Sequence, residues 1–67
     1  MAKKKEPTHS YIVSYRAGLN LRAEPSMDAE VIRIMPYGET VTQDAEKAPS
    51  GWIAVKGGGF CMKQYLQ

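Results

Sequence analysis

Apolar residues along this chain recur at every second position in several short segments. Residues 19–22, Leu-Asn-Leu-Arg, alternate strictly, and residues 39–43 alternate around Val41. Such alternation is typical of a β-strand with one buried face, so we expect Leu19, Leu21 and Val41 to point into a core. Nowhere does an i, i+3, i+4 pattern of apolar residues run for the ~10 positions that an α-helix needs.

Short apolar segments rich in β-branched and aromatic residues, separated by turn residues, predict an all-β fold. Close, regular spacing of this kind indicates a small barrel or sandwich. In the segment 52–56 we expect Trp52 to face the core together with either Ala54 or Val55. The predicted strands are residues 10–15, 19–22, 31–35, 39–43, 52–56 and 60–62.

The segments between these strands carry the residue types that turns require. Residues 23–30 include Pro25 and predict a long exposed loop, because proline cannot donate a hydrogen bond to a strand ladder. Three consecutive glycines at 57–59 predict a tight reversal with positive φ. Residues 63–66 are too few for an α-helix, and we expect a 3-10 turn that brings Leu66 onto the end of the fold.

The chain has 67 residues, which is the length of one small domain. Cys61 is its only cysteine and His9 its only histidine, so it has no internal disulfide and at most half of a zinc site. Cys61 lies between two apolar neighbours, and we expect it to be a core residue and not a reactive thiol. Packing alone must therefore hold the fold together.

The net charge of +2 comes from a run of three lysines at residues 3–5 and belongs to a tail. We expect residues 1–9 to be a disordered basic leader and residues 10–67 to be one domain. No segment approaches the ~18 apolar residues of a membrane helix, and no apolar stretch follows the basic start as in a signal peptide. As written, the chain is expected to be cytoplasmic or phage-encoded, or cell-wall-associated if it belongs to a longer secreted protein.

Six segments, taken in order, resemble the motifs of bacterial Src-homology-3 domains. Residues 19–26, Leu-Asn-Leu-Arg-Ala-Glu-Pro-Ser, resemble the L-N-[VL]-R-x-x-P-S segment that opens such domains. On these motifs the chain is identified as a member of the bacterial SH3 domain family. The other matching segments are residues 31–32, 35–41 (similar to L-x-x-G-x-x-V), 51–55 (G-W-x-x-V), 59–61 (G-[WY]-V) and 65–66 (the Y-L ending).

The resemblance implies an SH3-like β-barrel of five to six short antiparallel strands with a C-terminal 3-10 turn. It also implies a non-catalytic binding module, because relatives often hold cell-wall hydrolases on peptidoglycan by binding its stem peptide or glycine-rich cross-bridge. Aromatic and polar groups in a shallow groove would suit such a peptide. The candidate ligand-binding residues are Tyr15, Asn20, Glu24, Tyr37, Trp52 and Tyr65, with Tyr11 as a further candidate.

Asn20 and Arg22 alternate with the inward leucines, so we expect their side chains to leave the core face. There the Asn20 side chain is expected to hydrogen-bond the backbone of the neighbouring loop. Arg22 is expected to fold over the same loop and to pair with Glu24, Asp28 or the carbonyl groups there.

Other classes of function fit the sequence less well. Cys61 is predicted in a core strand and His9 in the leader, and the acidic residues are scattered over loops and strand ends, so we expect no enzyme, no cofactor and no metal site. The folded part lacks a basic stripe interleaved with aromatic residues, so we expect no nucleic-acid binding, and no membrane association either. A protein–protein interaction or scaffold role, in a phage or cytosolic bacterial protein, stays open as the alternative. For wall-peptide binding we expect a monomer.

Overall fold

Six short strands and one 3-10 turn follow each other along the chain in the predicted order. The computed structural model of the protein describes residues 9–44 and 47–67. The prediction of an all-β fold with a C-terminal 3-10 turn is confirmed. The strands are β1 Ser10–Ile12, β2 Leu19–Arg22, β3 Val31–Met35, β4 Thr40–Thr42, β5 Trp52–Ala54 and β6 Phe60–Met62, and the 3-10 turn is Lys63–Tyr65.

The strands form two antiparallel sheets. One sheet pairs β1 with β4, and the other has the strand order β3-β2-β6-β5. Single β-bridges, Val13 with Leu66 and Gln43 with Val55, connect segments that follow strands of different sheets. Closure of the two sheets into one barrel stays a prediction. Since β2 pairs with both β3 and β6, its outward side chains lie in the middle of the larger sheet.

The core is made of apolar side chains from five strands and from Val13, which follows β1. The inward positions predicted for Leu19, Leu21 and Val41 are confirmed, since all three are buried. Leu66 packs against this core, as predicted. The buried residues are Val13, Leu19, Leu21, Met35, Val41, Ile53, Ala54 and Cys61.

The prediction that Trp52 faces the core is wrong. Ile53 is 2% exposed, whereas Trp52 is half-buried. Ile53 pairs with Cys61 and Trp52 pairs with Met62, so the two pairs lie on opposite faces of the β5–β6 ladder. β5 has three residues, too few for alternation in the sequence to settle which face is inward. Ala54 is also buried, but it lies on the same face of β5 as Trp52 and is not part of the cluster around Ile53 and Cys61.

The strand predicted over residues 10–15 ends early, at Ile12. The N–H of Gly18 donates a hydrogen bond of 2.9 Å to the carbonyl oxygen of Tyr15 and closes a turn there. The chain therefore leaves the sheet before Tyr15, whose side chain is 48% exposed. This turn carries the Tyr15 ring to the end of β2, beside the outward face of the larger sheet.

Of the leader predicted over residues 1–9, residues 1–8 lie outside the described residues. The carbonyl oxygen of His9 accepts a hydrogen bond of 2.8 Å from the N–H of Gln43, which continues the pairing of β1 with β4. The rings of His9 and Tyr11 lie 5.8 Å apart. The division into leader and domain stays a prediction.

Candidate ligand-binding cleft

A cleft of about 170 Å³ opens on the outward face of the four-stranded sheet. Its floor comes from β2 and β6, because Asn20 and Arg22 alternate with buried leucines and Met62 follows the buried Cys61. The turn before β2, the loop 23–30 and the 3-10 turn supply its walls. The residues that line it are Tyr15, Gly18, Leu19, Asn20, Arg22, Met27, Met62 and Tyr65.

Two tyrosine rings form one end of the cleft. The ring centroids of Tyr15 and Tyr65 lie 4.7 Å apart with an angle of 48° between the ring planes. The segments that carry them are tied together, because the N–H and the hydroxyl of Ser14 both donate to the carbonyl oxygen of Tyr65, at 2.9 and 3.0 Å. A half-exposed aromatic pair of this kind offers an apolar face and two phenolic hydroxyls to a ligand.

Arg22 ties the loop 23–30 to the opposite side of the cleft. Its Nη1 donates hydrogen bonds of 3.0 Å to the carbonyl oxygens of Met27 and Ala29. The predicted pairing of Arg22 with loop carbonyls is confirmed. Within the loop, the hydroxyl of Ser26 accepts a hydrogen bond of 3.1 Å from the N–H of Asp28. These bonds hold Met27 as a wall of the cleft, with its side chain 61% exposed.

Asn20 lies between these two sides, half-buried in the centre of β2. The prediction that its side chain bonds the backbone of the neighbouring loop is wrong for the described residues, since no such hydrogen bond joins it to residues 9–44 or 47–67. Arg22 makes those loop contacts instead, because its longer side chain reaches the carbonyl groups. The amide of Asn20 is therefore left facing the cleft with one acceptor and two donor hydrogens.

The structure brings three of the six candidate site residues into the cleft, namely Tyr15, Asn20 and Tyr65. Trp52 pairs with Met62 and so lies on the same face of the sheet, next to the lining residues. Glu24 is exposed in the loop 23–30.

Two other candidate tyrosines lie outside the lining of the cleft. The Tyr37 side chain is 55% exposed, and the guanidinium carbon of Arg16 lies 5.2 Å from its ring centroid. The hydroxyl of Tyr11 donates to the side-chain oxygen of Gln43 at 3.2 Å.

Sequence reasoning missed Arg22, Met27 and Met62 as lining residues of the cleft. The alternation in β2 carried a signal for Arg22, because it places that side chain on the same face as Asn20. No comparable signal existed for Met27, whose position depends on the fold of a loop. Met62 shares a face with Trp52, so the wrong orientation predicted for β5 did not point to Met62 as a lining residue.

A second, more open groove of about 230 Å³ is lined by residues of β3, of β4 and of the segment that follows β5. Arg33 forms a bidentate ion pair with Glu39 at its rim. This hydrogen bond raises the pKa of Arg33 and lowers the pKa of Glu39. The charges of Arg33 and Glu39 are thus already paired with each other, which leaves Lys56 as the other charged lining residue and makes this groove the weaker candidate.

The one cysteine of the chain lies in the core and not at the cleft. Cys61 is fully buried, and burial raises the pKa of its thiol to about 11, so the thiol stays protonated at neutral pH. Residues 9–44 and 47–67 contain no group of three or more His, Cys, Asp or Glu side chains that could hold a metal ion. Across the same residues, no helix is both long enough and apolar enough to cross a membrane.

An all-β domain with an aromatic and amide-lined cleft on one sheet is typical of small binding modules. A family model described as bacterial SH3 domain matches residues 17–67. The chain belongs to the bacterial SH3 domain family, which confirms the resemblance of its motifs. Comparison with curated proteins and comparison with solved structures each gave no match.

Proposed function

We propose that this domain is a non-catalytic module that binds bacterial cell-wall peptide, either the stem or the cross-bridge of peptidoglycan, and so targets an attached or associated protein to the wall. The observation that carries the proposal is the cleft that joins Tyr15, Asn20 and Tyr65 on one face of the sheet. Membership of a family of binding modules supports it.

The size and chemistry of the cleft suit the end or a short stretch of an extended peptide. Its volume of about 170 Å³ is below the roughly 300–1,000 Å³ of typical small-molecule sites. The amide of Asn20 can both donate to and accept from a peptide backbone. The rings of Tyr15 and Tyr65 offer apolar surface to the methylene and methyl groups of a bound residue.

A titration of the isotopically labelled domain with soluble stem and cross-bridge peptides, followed by amide chemical shifts, tests the proposal. We expect the shifts to cluster at Tyr15, Asn20, Met27 and Tyr65. A flat response at millimolar peptide would contradict wall-peptide binding.

Tyr15→Ala and Tyr37→Ala form a matched pair for the same titration, because the two side chains are similarly exposed, at 48% and 55%. We expect Tyr15→Ala to weaken binding roughly tenfold, which corresponds to about 1.4 kcal/mol of lost aromatic contact. Tyr37→Ala should leave the affinity unchanged, because Tyr37 does not line the cleft. The opposite ranking would move the binding site away from this cleft.

A protein–protein interaction role is the second candidate, and the surface of β3 favours it. Val31, Ile32 and Ile34 are 40%, 53% and 59% exposed on the end strand of the four-stranded sheet. Neighbouring exposed aliphatic side chains of this kind are typical of interaction surfaces. Light scattering over a concentration series separates the two roles. If the domain binds wall peptides, we expect a monomer with affinity for those peptides. If it has an assembly role, we expect a dimer or larger complex without affinity for wall peptides.

A further inference from the structure

We propose that the cleft recognises the free carboxylate at the C-terminal end of a peptide, and that Arg22 is the residue that binds it. The inference rests on the proposed peptide-binding function and names the chemical group that the cleft selects. Among the described residues that line the cleft, Arg22 carries the one charged side chain.

Among the described residues, the guanidinium of Arg22 donates hydrogen bonds through one of its three nitrogen atoms. Nη1 is occupied by the carbonyl oxygens of Met27 and Ala29. Within residues 9–44 and 47–67, neither Nη2 nor Nε donates a hydrogen bond, and no carboxylate forms an ion pair with Arg22. A half-buried cation without a counter-charge gains more from an anionic ligand than a fully exposed one, because the effective dielectric constant around it is lower.

The two bonds of Nη1 also fix the orientation of the guanidinium plane. A carboxylate binds arginine through two parallel N–H···O bonds, and this fork is rigid and planar. Because the loop carbonyls already hold Arg22, little side-chain entropy remains to be lost when a ligand occupies Nη2 and Nε. A lysine in this position would offer a point charge without that geometry.

The rest of the cleft fits the residue that bears such a carboxylate. Asn20 lies two positions before Arg22 on the same face of β2, about 7 Å away, and can bond the last peptide group. The rings of Tyr15 and Tyr65 lie beyond it and offer surface to a side chain.

The loop that Arg22 binds carries three acidic residues, Glu24, Asp28 and Glu30, all exposed. These exposed charges lie on the loop that supplies one wall of the cleft, and they repel a ligand that carries many negative charges. A peptide with a single terminal carboxylate can place that one charge on Arg22 and bring no further negative charge to the loop. The charge distribution therefore favours a peptide terminus over a polyanionic polymer.

Three peptides titrated into the full wild-type chain test the inference. They are a stem peptide with a free C-terminal carboxylate, the same peptide with a C-terminal amide, and a glycine oligomer blocked at both ends. We expect amidation to weaken binding between tenfold and a hundredfold, about 1.4–2.8 kcal/mol, as is usual for the loss of a charge-assisted hydrogen-bonded pair. The Nε–H resonance of Arg22 should shift with the free acid and not with the amide.

The outcomes distinguish recognition of the carboxylate from peptide binding as such. If the free acid and the amide bind with equal affinity, carboxylate recognition is contradicted while peptide binding stands. If no peptide binds, the proposed function itself fails. Tighter binding of the blocked glycine oligomer than of the free acid would also overturn the inference.

Arg22→Gln, which removes the charge but keeps a hydrogen-bond donor for the loop, assigns the effect to a residue. We expect this variant to bind the acid and the amide equally. Arg33→Gln is the matched control, because Arg33 pairs with Glu39 away from the cleft and its loss should preserve the difference. A preference for the acid that persists in Arg22→Gln would contradict the role of Arg22, and the wild-type comparison holds even if the variant loop is disturbed.

Discussion

At the scale of single residues, the fold changes the chemistry of Cys61 most. Its burial raises the pKa of the thiol from the ordinary value of 9.0 to about 11, because the thiolate is poorly solvated in the core. The folded state therefore holds this proton more tightly than the unfolded state does. The resulting stabilisation is complete below pH 9.0 and is lost as the pH rises through about 11.

We predict that the free energy of unfolding falls over this alkaline range by about 1.4 kcal/mol for each pKa unit between the two states. Urea denaturation at successive pH values measures the fall. Cys61→Ala serves as the reference, because it lacks the thiol and is otherwise identical to wild type. If wild type and Cys61→Ala lose stability in parallel, the buried thiol is not responsible.

Gly59 is a residue at which an added Cβ would clash with its neighbours unless they move. Its φ of +95° is positive, as predicted for the reversal at 57–59, and an added Cβ would lie 2.7 Å from Cδ1 of the buried Leu21 and 3.2 Å from the carbonyl oxygen of Arg22. Gly38 has a similar φ of +89°, with no described atom within 4 Å of such a Cβ.

Gly38→Ala should therefore cost about 1–2 kcal/mol of backbone strain. Gly59→Ala should cost about 1–3 kcal/mol more, because it adds overpacking against β2. Thermal or urea unfolding of the two variants gives the difference. Equal losses would show that Leu21 moves aside freely.

At the scale of elements, the orientation of β5 decides which residue supports the core. Ile53→Val should cost about 1 kcal/mol, since it removes a buried methylene from a side chain that is 2% exposed. Ile32→Val in β3 keeps the β-branched shape at a position that is 53% exposed, and its effect should stay below about 0.5 kcal/mol. Urea unfolding compares them. A larger loss from Ile32→Val would mean that β3 is covered in solution.

The elements also show where sequence reasoning succeeds and where it stops. The four residues of β2 alternate strictly, so both their buried and their outward faces could be predicted. The three residues of β5 leave two phases open, and Trp52 was assigned the wrong one. The grouping of the candidate site residues was equally beyond local patterns. Tyr15 and Tyr65 lie fifty positions apart along the chain, and their contact in the folded protein is encoded by no local pattern.

At the scale of the whole molecule, the cleft is assembled from segments near both ends of the folded chain. Tyr15 precedes β2, Tyr65 ends the 3-10 turn, and the hydrogen bonds of Ser14 hold the two together. A ligand in the cleft therefore contacts parts of the chain that meet only in the folded state. Binding should depend on the fold as a unit and not on any one loop.

The lysine run at residues 3–5 supports a competing explanation of any affinity for wall material, because it carries the excess positive charge of the chain. No residue before Tyr15 lines the cleft among the described residues, so deletion of residues 1–8 should leave peptide affinity within twofold of the full chain. Binding through the tail would instead be lost on deletion and would weaken steeply with added salt.

Titration of the two proteins at low and at physiological salt distinguishes these cases. Replacement of the three lysines by glutamine in the full chain is the control for an effect of deletion on folding. If that charge-neutral chain binds like wild type while the deletion does not, the leader contributes through structure. If both lose affinity together, the tail and not the cleft carries the interaction, and the proposed site on β2 is wrong.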